Sequence, residues 1–191
     1  MKEPKNISEL KLELTYYIKS GKYLKDVNKI CKEGIKYINA LQVKENDIAI
    51  FDVDDTCLSS VQYYLKYDFS YSAGRYLKYC KQNVLPAIPV VLDLYQACLK
   101  KGLDIYILTA RFVQEKEITE LNLNKSGYDN YKQIIMRKIN IPSSEYKLRK
   151  KKALTNLGKH IIINVGDQIS DGIGNYEDKF VKIPNPFYKI I

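Results

Sequence analysis

The side chains best placed to do chemistry are aspartates in two short clusters, Asp52-Val53-Asp54-Asp55-Thr56 and Gly166-Asp167-Gln168-Ile169-Ser170-Asp171. Each cluster follows directly on an apolar run, Asp47 to Phe51 before the first and His160 to Val165 before the second. A third run, Asp104 to Leu108, ends in Thr109-Ala110-Arg111. Short apolar runs of this kind suit strands buried on both faces. Ligands of open parallel sheets sit beyond the carboxyl ends of the strands, so the three polar ends are expected to converge on one edge.

A buried edge carrying Asp52, Asp54, Asp167 and Asp171 would repel itself without a cation or a proton, because crowded carboxylates cannot all stay ionised. A hard divalent ion is implied. Mg2+ fits best, since it takes one or two protein carboxylates and keeps room for waters and a substrate phosphate. A calcium loop starting at Asp52 is excluded, because its sixth position would be Cys57 and its twelfth Tyr63, where that loop needs glycine and glutamate. Any one cluster taken alone could equally be a turn that caps a helix after a strand. Three at matching strand ends are better read as one site.

The segments between the clusters must hold those strands together. Leu10, Leu14, Tyr17 and Ile18 recur at helical spacing, and so do Val27, Ile30, Cys31, Ile35, Ile38 and Leu41, which predicts amino-terminal helices at about 8–42. Cys57 to Leu85 is rich in tyrosine without a strand period, and is expected to be a small helical insertion at about 57–86. A helix follows from the prolines near Pro86 to Gly102, and another from Phe112 to about Leu123. Gln133 to Met136 predicts a third strand, Ser143 to Asn156 a helix opened by Pro-Ser-Ser-Glu, and Val181 to Ile183 a fifth strand after His160–Val165. Alternating strands and helices predict an α/β fold with a parallel sheet covered on both faces.

At 191 residues the chain suits one domain with a substantial core. The start lacks the apolar core of a secretory signal and no stretch reaches membrane-span length, so a cytoplasmic protein without membrane contact is the expectation. Cys31, Cys57, Cys80 and Cys98 stand far apart and only His160 could join them, which argues against zinc. The net charge of +9 would attract phosphate esters or nucleic acid alike, and its sign does not choose between them.

The motifs, taken in order, resemble the haloacid dehalogenase (HAD) superfamily, whose first motif is D-x-D-x-T. The resemblance is to the acid phosphatase and vegetative storage protein branch, subfamily IIIB. That branch continues into Leu58-Ser59 and Tyr63-Tyr64, then Pro86-Ala-Ile-Pro89, Leu92-Asp-Leu-Tyr95, Gly102 and Thr109-Ala-Arg111. Met136-Arg137, Tyr146-Lys147, Gly166 to Asp171 and Pro184 to Tyr188 complete the pattern. This chain has Leu148 and Lys151 where the branch usually has Ser and Arg.

The resemblance implies a HAD-like Rossmannoid three-layer fold with a small helical cap, 1–191 forming a single phosphatase domain. It implies a Mg2+-dependent phosphomonoesterase in which Asp52 attacks phosphorus, forming an aspartyl-phosphate, while Asp54 protonates the leaving oxygen and later activates water. By the same resemblance, Mg2+ is held by Asp52, the Asp54 backbone carbonyl and Asp167, with Asp171 as a ligand or just behind. Thr109 and Lys147 would bind the phosphoryl group.

Lys147 lies in a basic run, Lys147 to Lys152, that would ordinarily be a solvated helix face; only the motif alignment singles it out. Arg111 either grips a substrate phosphate, the reading favoured here, or sits in the first turn of a helix. Gly166 is expected to permit a tight turn. The insertion's tyrosines are more often core than a platform for an aromatic or nucleoside leaving group. The expected partner is a small phosphomonoester, nucleotides included, and not nucleic acid; self-association is left open. The competing reading is a noncatalytic storage or binding protein that retains the fold, against which stand the intact Asp52, Asp54, Lys147 and Asp167.

Overall fold

The computed structural model describes residues 4–190. Two helices, α1 (Ile7–Lys19) and α2 (Lys22–Ala40), lead into β1 (Asp47–Phe51). The insertion folds as α3 (Val61–Lys66) and α4 (Ala73–Gln82), followed by α5 (Pro89–Lys100), β2 (Asp104–Phe112), α6 (Lys116–Lys125) and β3 (Gln133–Arg137). Then come α7 (Ser143–Asn156), β4 (His160–Gly166) and β5 (Glu177–Lys182).

The five strands form one sheet in the order β3-β2-β1-β4-β5, and every pairing is parallel. From β1 the chain first builds outward through β2 to β3, then crosses to β4 and β5. The order therefore reverses at β1, and the crevice beyond its carboxyl end is where such a sheet binds ligands.

All five residues of β1 are buried, and successive side chains point to opposite faces. Ala49 and Phe51 join Val27, Cys31, Leu94 and Cys98 from α2 and α5. Ile48 and Ile50 pack on the other face with Tyr146 and Leu154 of α7. Both faces are thus covered, which is why the strand reads as an unbroken apolar run.

Four elements differ from expectation, the first being α6, which begins at Lys116 because Phe112 still belongs to β2. β2 runs past Thr109 to Phe112 through an irregular register. β5 begins at Glu177 instead of Val181; as a charged edge strand it carries no apolar signature. α7 starts at Ser143 as predicted, but Pro142 is its N-cap and no side chain caps it. Among the described residues no helix is long and apolar enough to cross a membrane.

Candidate active site

Asp52 is the first residue past β1, and its backbone N–H donates to Val165 O at 3.0 Å, tying it to β4. Its carboxylate Oδ1 lies 2.7 Å from Lys147 Nζ, and the same ammonium lies 2.7 Å from Asp171 Oδ1. Lys147 arrives from the start of α7 and is only 4% exposed, so it belongs to the site and not to a solvated face.

The Asp171 carboxylate is engaged at both oxygens, because Oδ2 accepts the Gln168 N–H at 2.9 Å. Its backbone carbonyl accepts from Lys151 Nζ at 2.6 Å and from Asn164 Nδ2 at 2.8 Å. Gly166 has a purpose other than the one expected of it. It ends β4 without a left-handed φ, and a Cβ there would overlap the Asp171 carboxylate. Glycine leaves the room in which that side chain folds back.

Asp167 Oδ2 accepts from Gln168 Nε2 at 2.6 Å and from Asn185 Nδ2 at 2.5 Å. One carboxylate oxygen from each of Asp52, Asp167 and Asp171 lies within 4.8 Å of the other two. Burial pushes the Asp52 carboxyl well above the ordinary range, and Asp171 and Asp167 add to it while Lys147 opposes. Burial and the Asp171 charge likewise raise Asp167. Burial works against the Lys147 ammonium, but Asp171 and Asp52 outweigh it and raise its pKa. Among the described residues nothing donates a hydrogen bond to Asp52 Oδ2 or Asp167 Oδ1, so the donor set fits a hard divalent cation.

Asp54 faces elsewhere. Arg111 grips it with a fork, Nε to Oδ2 at 2.9 Å and Nη2 to Oδ1 at 2.6 Å, and Tyr76 Oη from α4 donates to Oδ1 at 2.7 Å. The remaining guanidinium nitrogen reaches Thr119 Oγ1 at 3.1 Å. Burial alone would raise the Asp54 carboxyl, yet Arg111 and Tyr76 hold it below the ordinary value. Arg111 therefore sits at the end of β2, neither in a helical turn nor free for a phosphate. Its N–H donates to Thr109 Oγ1 at 3.2 Å, which leaves the threonine hydroxyl proton for another acceptor.

These groups floor a cavity of about 730 Å³ whose walls include Tyr71, Tyr76, Leu77 and Phe112. The insertion forms the roof. Tyr63 is its core, with the rings of Tyr64, Tyr67, Tyr71, Tyr76 and Tyr79 packed around it at 4.9–6.4 Å. Tyr64 also stacks on Phe187 of the carboxyl-terminal segment at 4.7 Å. The tyrosines thus divide between packing and cavity wall.

Asp52, Asp54, Thr109, Arg111, Lys147 and Asp167 all line this one cavity, with Asp171 directly behind Lys147. Tyr76, Gln168, Asn185 and Lys151 were not singled out for the site from the sequence. The signals for Gln168 and Asn185 were their places beside Asp167 and between two prolines; Tyr76 carried none beyond a tyrosine-rich segment.

A family model described as HAD superfamily, subfamily IIIB (acid phosphatase), matches residues 2–191. Vegetative storage protein 2 of Arabidopsis thaliana is 33% identical over 92% of this chain and 69% of that protein. Acid phosphatase 1 of Solanum lycopersicum is 28% identical, covering 92% of this chain and 72% of its own length. Among solved structures, the class C acid phosphatase from Bacillus anthracis superposes with a TM-score of 0.77 at 20% identity, over 96% of this chain and 85% of that one. At that identity the likeness is one of fold.

Proposed function

The chain belongs to the acid phosphatase subfamily IIIB of the HAD superfamily, hence to the phosphoric monoester hydrolases, and on that premise we propose a Mg2+-dependent phosphomonoesterase that works through an aspartyl-phosphate at Asp52. The observation that carries the reading is the Asp52 carboxylate held by Lys147 on the floor of the cavity, with one oxygen bonded and the other open.

An ester phosphate on that floor would meet Asp52 Oδ2 in line with its leaving oxygen. The Asp52 O–P bond forms as the ester P–O bond breaks, and the departing oxygen takes a proton from Asp54. In the second step Asp54 accepts a proton from water as that water displaces Asp52, releasing inorganic phosphate. The Arg111 fork keeps Asp54 ionised between turnovers, which suits the second step; the first draws on the protonated fraction, which grows as pH falls. Thr109 and Lys147 bind the phosphoryl oxygens, and Lys147 balances their charge. Asp52, Asp167 and the Asp54 backbone carbonyl would hold Mg2+, with Asp171 steadying Lys147; the ion would supply Lewis-acid neutralisation of the phosphoryl charge.

The substrates proposed are small phosphomonoesters, nucleotides among them, and residues 1–191 act as one domain with the 57–86 insertion as its cap. A noncatalytic storage role draws support from the similarity to a vegetative storage protein. One experiment separates the two. The wild-type protein should turn over p-nitrophenyl phosphate with Mg2+ and lose that activity to chelator, and Asp52→Asn should abolish it. A phosphoryl group trapped on any residue other than Asp52, or turnover surviving in Asp52→Asn, would overturn the mechanism.

A further inference from the structure

Three cationic side chains line the cavity among the described residues: Arg111, Lys147 and Arg137. Arg111 is forked onto Asp54 and Lys147 lies between Asp52 and Asp171. Arg137 differs. It ends β3, and no carboxylate lies within ion-pair distance of it among the described residues.

Two contacts fix the Arg137 guanidinium in place. Its plane lies over the Phe112 ring, 4.2 Å from the centroid, and Nη1 donates to Ile141 O at 2.8 Å. Nε is buried with no partner, and so is the Ser143 hydroxyl on the same cavity wall. Glu115, the acid nearest in chain to that wall's Phe112, is committed to the Phe112 N–H at 2.8 Å. An arginine held on the cavity wall with unspent donors, and an unpartnered hydroxyl lining the same cavity, make an arrangement that an anion would complete, because polar groups cut off from water cost stability unless they are partnered.

We infer that Arg137 and Ser143 form a second anion subsite, and that the preferred substrates are phosphomonoesters carrying another negative group at a distance. This rests on the phosphatase reading and deepens it. Arg137 ends β3, and Asp52 follows β1, two strands away in the sheet. Two strand spacings amount to roughly 10 Å. A backbone separation of that order favours a second anion set apart from the scissile phosphate. It suits an anion at the far end of a sugar or an aromatic ring from the ester.

The test is a matched pair of probes, para-carboxymethyl phenyl phosphate and its methyl ester, which share one cleavable phosphate and nearly the same leaving group. A charge-assisted hydrogen bond at a partly exposed site should favour the free acid by about tenfold in kcat/KM, mostly through KM. The preference should shrink with added salt. Arg137→Met should bring the ratio to about one, whereas Arg137→Lys should keep part of it because a charge remains. Ser143→Ala should lower the ratio in a background where Arg137 is intact, so the inference does not hang on one variant folding. A wild-type ratio at or below one, or a ratio unchanged in Arg137→Met, would overturn the subsite. Failure to hydrolyse even the methyl ester would count against the phosphatase reading itself.

Discussion

Replacing Lys151 by Met should cost stability out of proportion to its distance from the chemistry. The residue is fully buried. Its ammonium lies 3.0 Å from Glu177 Oε2, and that carboxylate side chain is only 2% exposed. Burial pulls the Lys151 pKa below the ordinary lysine value even though Glu177 pulls the other way, so desolvation outweighs the attraction within the pair. Removing one partner is a different matter, because it strands the other charge; such changes cost about 3–5 kcal/mol. Asn164 Nδ2 still donates to Glu177 Oε1 at 3.1 Å, which argues for the lower end. At about 2–4 °C per kcal/mol for a domain of this size, ~3 kcal/mol lowers Tm by about 6–12 °C. Thermal and urea unfolding of the metal-free protein would read this directly. Lys151→Arg keeps the charge and should lose far less. The double variant Lys151→Met/Glu177→Gln should recover part of the loss, since no buried charge is then unpaired. Because Lys151 also holds the Asp171 carbonyl, KM should rise severalfold in Lys151→Met below its Tm. A single variant within about 0.5 kcal/mol of wild type, or a double variant no more stable than the single, would refute the reasoning.

Asp54→Asn keeps the attacking carboxylate but removes the proton donor, so turnover of alkyl phosphates should fall by about 10²-fold or more. Aryl phosphates should suffer less in their first step, and phosphorylated Asp52 should accumulate; equal losses on both substrate types would count against the assignment. Asp167→Asn keeps a side chain of the same shape while removing one of three crowded charges, so the Mg2+ concentration for half-maximal activity should rise while the metal-free protein holds or gains stability. Full activity at unchanged Mg2+ would show the site is misassigned. His160 bridges Asp47 at 2.9 Å and Asp178 at 3.0 Å, and those two hydrogen bonds raise its pKa. Its stabilisation should be complete below the ordinary value of about 6.5 and fade as pH rises through the higher folded value. As the only histidine in the chain, it offers a single imidazole NMR titration, and a midpoint below about 6.5 would reverse the sign.

What could be read from residues alone followed burial. β1, β2 and β4 were legible because parallel strands covered on both faces must be apolar throughout, and the aspartates beyond β1 and β4 were legible as the abrupt ends of those runs. β5 was legible only at its end, as Val181 to Ile183, because its first half is an edge segment that buries Glu177 against Lys151 and has no hydrophobic pattern to display. The Lys147–Lys152 run shows the limit most clearly. Composition marks a solvated helix face, yet Tyr146, Lys147, Lys151 and Leu154 are the residues α7 buries, and their helical spacing lies open in the sequence. Lysines four apart on the same face as Tyr and Leu must either leave that face or find acids within it. The acids are Asp52, Asp171 and Glu177, brought from three other segments. Likewise, nothing near Arg111 in sequence announces Asp54, and nothing near Asp54 announces Tyr76.

The partners of Asp52 and Asp54 explain how carboxylates two residues apart can do different work. Asp52 shares one ammonium with Asp171 and lies close to Asp167, so burial and those two charges raise its pKa against the pull of Lys147. Asp54 has a guanidinium fork and a phenol to itself, so its proton is held loosely. A positive charge added near Asp52 and Asp167 would lower the Asp52 carboxyl and leave Asp54 to its own partners, because Arg111 and Tyr76 hold the Asp54 side chain. The proposed divalent cation would offset the imbalance between one lysine and three buried acids, and on that proposal Asp52 attacks best with the cation bound.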